Sequence, residues 1–127
     1  MNIQESYDSY RNRLFNGDET VEQRISEHLS VINKRKNLNA FLSVFAEEAL
    51  KRAREIDGKI KNGKAGSLAG MMIAVKDVLC MKGIITTCGS RILKNYEAVY
   101  VATVIQKLRD ADALFIEAEA GNHALAF

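Results

Sequence analysis

The amino-acid sequence predicts an α/β chain in which N-terminal helices precede a βαβ-like unit. Three observations carry that expectation. Apolar residues recur at helical spacing from Val21 to Ile32 and from Ala49 to Ile56. Met71–Val75 and Ala113–Ile116 are uninterrupted apolar runs of strand length, as in buried parallel strands. Between them lies the amphipathic stretch Ala102–Asp110, so strand, crossover helix and strand follow in the order of a right-handed parallel unit. At 127 residues the chain fits a single domain with a real core, helical over 1–64 and strand–helix–strand over 65–127.

Each element has a local cause. Residues 4–14 have weak helical character and run into a turn signal at Asn16-Gly17. Thr20-Val-Glu-Gln23 has the form of a capping box, a hydroxyl at the N-cap and a Gln three residues on. Val21, Ile25, Leu29 and Ile32 then predict a helix to about Lys36. Lys34-Arg35-Lys36 places positive charge at its C-terminal end, where it complements the helix dipole. Leu38–Phe45 fits either a short strand or a helix start. Ala46–Lys61 predicts a helix with Ala49, Leu50, Ala53 and Ile56 on its apolar face. Asn62–Ser67 reads as a loop, Asp77–Ser90 as irregular structure around Gly83 and Gly89, and Arg91–Asn95 as one helical turn. Ala102–Asp110 predicts a helix with Val101, Val104, Ile105 and Leu108 on one face, and the composition turns helical again after Gly121.

Composition narrows the function. Hydrophobic residues make up 47% and charged residues 27%, as in ordinary soluble proteins. A net charge of +2 is too small to mark a nucleic-acid surface by itself, so no DNA partner is expected. No apolar run approaches the ~20 residues of a membrane-spanning helix, and the N-terminus lacks the basic and apolar regions of a secretory leader. Cys80 and Cys88 are too few for a disulfide framework and fit no common zinc spacing. One histidine on the first capped helix, His28, and one near the C-terminus, His123, add no ligand pattern. A reduced, cytoplasmic chain without metal or cofactor is the expectation.

The most informative residue is Lys76, at the end of the run Met71–Val75 and just before a turn. A buried ammonium is costly, so such a lysine sheds its proton or finds a partner, and a neutral lysine is a general base. A strand-end lysine can equally reach water with its amine. Asp77 either holds the turn through a side-chain to backbone hydrogen bond or helps to position Lys76, and the turn is the favoured reading. Cys88 reads as a small buried thiol. Ser67 and Ser90 read as loop or cap residues, and Thr86 and Thr87 suit a loop or a strand edge.

The stretch Leu68-Ala-Gly-Met-Met-Ile-Ala-Val-Lys-Asp77, followed by Lys82-Gly-Ile-Ile-Thr-Thr-Cys-Gly-Ser90, resembles the amidase signature family. Within that family the resemblance is to the A-subunit branch that serves aspartyl/glutamyl-tRNA amidotransfer, and more loosely it extends from about Leu38 to Ile116. It implies the corresponding portion of the amidase signature fold, with Lys76 as the family's general base acting on a pair of serines. It implies glutamine hydrolysis that supplies ammonia to a tRNA-bound carboxylate. It also implies partner amidotransferase subunits, one of them handling ATP, and tRNA. In the family both serines follow the matched region, and neither Ser67 nor Ser90 matches them, so the 127 residues alone are expected to be inactive.

The departures share a direction. Proline is absent, against about six residues at an average usage of ~5%. Met72, Ile85, Ala98 and Val99 stand where the family commonly has proline, Val78 where it has Asn, and Val101 where it has Asp. Glu117–Ala126 replaces a polar, substrate-side segment with a helix-prone one. A non-catalytic, redesigned or self-associating structural fragment is therefore the alternative, with an exposed sheet edge as its contact.

Overall fold

The computed structural model describes residues 5–119. Helix α1 spans Tyr7–Asn16 between two local signals: the Ser6 hydroxyl accepts the Ser9 N–H, and Gly17 closes the helix at φ 81°. Helix α2, Val21–Lys34, opens on the expected capping box, with Thr20 and Gln23 exchanging side-chain to backbone bonds. It stops two residues short of the expected end, and Lys36–Leu38 forms a 3₁₀ turn. Strand β1, Phe41–Val44, resolves the ambiguous stretch as extended, and helix α3 spans Ala46–Lys61. Strand β2 is Met72–Lys76, helix α4 Thr103–Asp110 and strand β3 Leu114–Glu119.

The three strands form one sheet in the order β1-β3-β2. β2 pairs with β3 in parallel and β1 pairs with it antiparallel. The part read as helical thus supplies a strand of its own, and the two halves share one sheet. β3 also runs past Ile116, because Glu117–Glu119 pair with both neighbours. The helical segment expected after Gly121, and His123 with it, lie outside the described residues. Arg91–Asn95 forms successive turns with i→i−3 bonds, such as Tyr96 N–H to the Leu93 carbonyl at 2.8 Å, rather than a helix.

The two faces of the sheet carry separate cores. Leu114, Ile116 and Met72 meet Tyr10, Leu14, Val21, Ile25, Ala49, Ala53 and Ile56 of the first three helices. Val75, Ile73 and Phe115 meet Met81, Ile84 and Ile105 on the other side. β2 is not buried throughout, as its apolar run suggested. The helices cover its start at Met72, whereas Ala74 is exposed. In α4 Ile105 is buried, but Val104 turns out to solvent.

Buried acids tie these layers together. Asp112, at φ 66°, accepts Arg52 at 2.9 Å, Lys59 Nζ at 2.6 Å and the Gly66 N–H at 2.8 Å. Burial pushes its carboxyl up, but the bonds from Lys59 and Gly66 and the charges of Lys59 and Arg52 outweigh that and hold it low. Asp57 reaches from α3 to accept the Val21 and Glu22 N–H groups, capping α2 beyond its own box. Two glycines are required by close approach. A Cβ at Gly66 would lie 2.5 Å from the Ala111 carbonyl oxygen, and one at Gly70, where φ is 79°, 2.7 Å from Leu14 Cδ1. Ala69 is buried beside them and its carbonyl accepts the Tyr7 hydroxyl at 3.0 Å, so the Leu68-Ala-Gly70 motif is the seat of α1.

A four-membered ion-pair cluster closes the other end of α1. Glu5 and Glu19 each bridge Arg13 and Arg24, and the Arg24 guanidinium lies 4.5 Å over the Tyr10 ring. The Arg13 hydrogen bond leads in lowering the Glu5 carboxyl from 4.5 to about 2, with burial opposing it and Ser9 and Arg24 adding to it. The folded state therefore holds Glu5 ionised where the unfolded chain would protonate it. That stabilisation is full above the ordinary carboxylate range and is lost as pH falls from 4.5 toward about 2. Urea titrations between these limits are expected to show falling stability, and Glu5→Gln is expected to flatten that fall. An unchanged slope in the variant would contradict the role of the cluster.

Candidate functional site

Lys76 is the last residue of β2. Successive strand residues point to opposite faces, so Val75 and Asp77 share one side and Ala74 and Lys76 the other. The burial follows this alternation: Val75 and Asp77 are buried, Ala74 is exposed and Lys76 is half-buried. The Lys76 carbonyl accepts the Val78 and Leu79 N–H groups at 2.7 and 3.1 Å, which turns the chain sharply after the strand.

Asp77 does more than hold a local turn. It is 4% exposed, and its Oδ1 accepts the Thr87 N–H at 2.8 Å. Its Oδ2 accepts the Thr87 hydroxyl, and its main-chain carbonyl accepts the Cys88 N–H at 2.9 Å. No cation pairs with this carboxylate among the described residues, so its charge is met by donors from one threonine. The bonds close residues 77–88 into a loop whose underside carries Met81 and Ile84 into the second core. Thr86 is buried within the same loop, and its N–H donates to the Tyr96 carbonyl at 2.9 Å.

The structure thus gathers Lys76, Asp77, Thr86 and Thr87 at one end of the sheet. Cys88 does not fit the buried-thiol reading. It is exposed at φ 51°, because the turn Thr87–Ser90 must pass through a left-handed conformation at the surface. Cys80 is half-buried against the Tyr100 phenol, and that contact pushes the phenol's pKa up. The Ser90 hydroxyl accepts the Ile92 N–H at 3.3 Å and so closes a local turn, while Ser67 is exposed in the turn before β2. His28 Nδ1 lies 3.1 Å from the Arg24 carbonyl, within its own helix. No cluster of three or more potential metal ligands occurs among the described residues. No helix among them is long and apolar enough to cross a membrane.

Sequence reasoning missed the partnership of Asp77 with Thr87. The signal was available, because both residues belong to the matched pattern and an Asp followed by turn residues seeks nearby N–H donors. The Asp112 hub had no local signal, since its three partners come from residues 52, 59 and 66.

Three comparisons bear on the family of the chain. Residues 24–117 match the family model described as Amidase. The A subunit of glutamyl-tRNA(Gln) amidotransferase from Chlorobaculum tepidum is 47% identical over 111 residues, a match that covers 87% of this chain and 23% of that relative. The chain therefore spans about a quarter of the length of the curated relatives it matches. Among solved structures, the native peptide amidase of Stenotrophomonas maltophilia superposes with a TM-score of 0.84 at 23% identity, covering 92% of this chain and 25% of that one. A protein of a vestigial complex bearing on the origins of an s-triazine catabolic enzyme superposes at 0.80 with 27% identity, covering 86% of this chain and 24% of that one.

Removing the Asp77 carboxylate leaves the donors of half-buried Thr87 without that partner. Asp77→Ala is expected to cost about 1–3 kcal/mol in urea denaturation and to speed hydrogen exchange at the Thr87 amide. Wild-type exchange at Thr87 would contradict the clamp.

Proposed function

The chain belongs to the amidase family, and from that premise we propose that it is the lysine-bearing, N-terminal part of an amidase- or glutaminase-type unit with Lys76 as general base. The observation that carries the reading is the placement of Lys76. Its backbone is held on both sides by hydrogen bonds, and its side chain leaves the strand on the face that the first three helices do not cover at Ala74. A base needs such a fixed root and an approachable amine.

In this reading the amine of Lys76 takes the proton of a serine hydroxyl, which in turn activates a second serine. That oxygen attacks the amide carbon, the carbon–nitrogen bond breaks, and ammonia leaves with the proton that the lysine returns. Water hydrolyses the resulting ester and frees the nucleophile. Backbone N–H groups facing the tetrahedral oxygen supply the electrostatic stabilisation. Similarity to the A subunits of glutamyl-tRNA(Gln) amidotransferases favours glutamine as the amide and a tRNA-bound carboxylate as the acceptor of the ammonia, with ATP used by a partner protein. The two serines are assigned to polypeptide other than these 127 residues, because Ser67 and Ser90 serve turns.

A second reading has its own support. Both β1 and β2 are edge strands among the described residues, and Ile92 and Val99 are 94% and 74% exposed. Open edges and exposed apolar residues favour self-association of the isolated chain without turnover.

The test joins these 127 residues to the remaining sequence of a relative such as the Chlorobaculum tepidum protein. The 127 residues alone are expected to release no ammonia from glutamine. The joined protein is expected to do so, and Lys76→Ala to lower its kcat by about 10²–10⁴-fold, the range for a lost general base. Turnover unaffected by Lys76→Ala would overturn the assignment.

A further inference from the structure

We propose that Asp77 and Thr87 act as a positioning pair for Lys76, setting the direction of its amine without touching it. The inference deepens the reading of Lys76 as base and rests on it. The Asp77 carboxylate is engaged by Thr87 rather than by the amine of the preceding residue. It acts through the chain between them. Thr87 donates twice to the carboxylate, once from its N–H and once from its hydroxyl, and Cys88 donates to the Asp77 carbonyl. On the other side, the Lys76 carbonyl is taken by Val78 and Leu79, and β2 pairs Lys76 with Glu119 of β3.

The backbone torsions on either side of the Lys76 Cα are therefore fixed by bonds to three separate segments. A lysine side chain is long and rich in rotamers, so a fixed root is what keeps its amine in a narrow cone. The pair is costly to build, because the carboxylate is buried and has no cation to meet it among the described residues. The loop it closes already has Met81 and Ile84 packed in the second core, so burial alone would hold its middle. The polar clamp controls instead the two ends of the loop, the nearer of which is joined directly to Lys76. A threonine suits this task because one residue offers an N–H and an O–H that converge on both oxygens of one carboxylate.

The test uses the 127-residue chain and does not require turnover. Lysines are acetylated with N-hydroxysuccinimidyl acetate under native conditions, and the rate at Lys76 is expressed relative to the exposed Lys82 and Lys94. In Thr87→Val, which keeps the size but loses the hydroxyl, the relative rate at half-buried Lys76 is expected to rise about fivefold or more, the lower end of measurable coupling. Thr87→Ser restores the hydroxyl and is expected to return the wild-type ratio. Asp77→Asn keeps one acceptor for the Thr87 N–H and is expected to give an intermediate ratio. An unchanged ratio in folded Thr87→Val would overturn the proposal. If Thr87→Val does not fold, Asp77→Asn decides by the same criterion, and an unchanged ratio there overturns it. In the joined enzyme, loss of the pair is expected to lower kcat with KM unchanged and Thr87→Ser to rescue it. A labelling ratio that moves while Lys76→Ala leaves turnover intact would sink the base assignment and spare the pair.

Discussion

The parallel pairing of β2 with β3 is the constraint on which the rest of the structure depends. Parallel strands cannot be joined by a hairpin, so the chain must leave the end of β2 at Lys76 and return to the start of β3 at Leu114. That return makes the long loop, α4 and the second core necessary. Along β2 the period-two alternation turns Lys76 to the side of exposed Ala74 and Asp77 to the side of Val75 and the second core. β3 skips one residue between Phe115 and Glu117, opposite Ile73 and Ala74, and the skipped Ile116 is buried in the helical core with Leu114.

Polar groups then fix what apolar packing leaves free. Leu114 and Ile116 give α3 a surface to lie on, but hydrophobic contact is non-directional and does not choose how the turns before β2 and β3 meet the helix. Asp112 makes that choice by binding α3 and the Gly66 amide at once. Asp57 does the same for the start of α2, and Asp77 for the loop after β2. Each is an acid surrounded by donors, an arrangement that loses more when broken than it gains in forming. Such sites specify geometry, and geometry is what a base on a strand end requires.

Much of this was legible in the sequence because the signals were local. The Thr20–Gln23 box, the Asn16-Gly17 turn and the apolar face of Ala46–Lys61 each depend on residues within one or two turns of one another, and each formed as expected. The run Met71–Val75 gave the strand but not its exposure, since Ala74 faces a side that only distant elements could cover. β1 was ambiguous for the same reason: four residues decide nothing until β3 pairs with them. The position of Lys76 followed from the pattern around it, whereas its support by Thr87 required the loop to close across ten residues. Cys88 was misread because an apolar residue type in a matched motif suggested burial, while the turn it occupies lies at the surface.

Strand register, read from cross-strand amide NOEs in two-dimensional NMR of the 127-residue chain, tests the placement of Lys76 most directly. The structure predicts Ile73 opposite Phe115 and then, across the skip, Ala74 opposite Glu117 and Val75 opposite Ala118. Val75 then packs on Met81 and Ile105, which leaves Lys76 on the opposite side of β2, beside exposed Ala74. NOEs from the Val75 methyls to Met81 and Ile105 are expected, whereas contacts from Val75 to Ile25 or Ile56 of the first core would turn Lys76 toward the second core and contradict its placement.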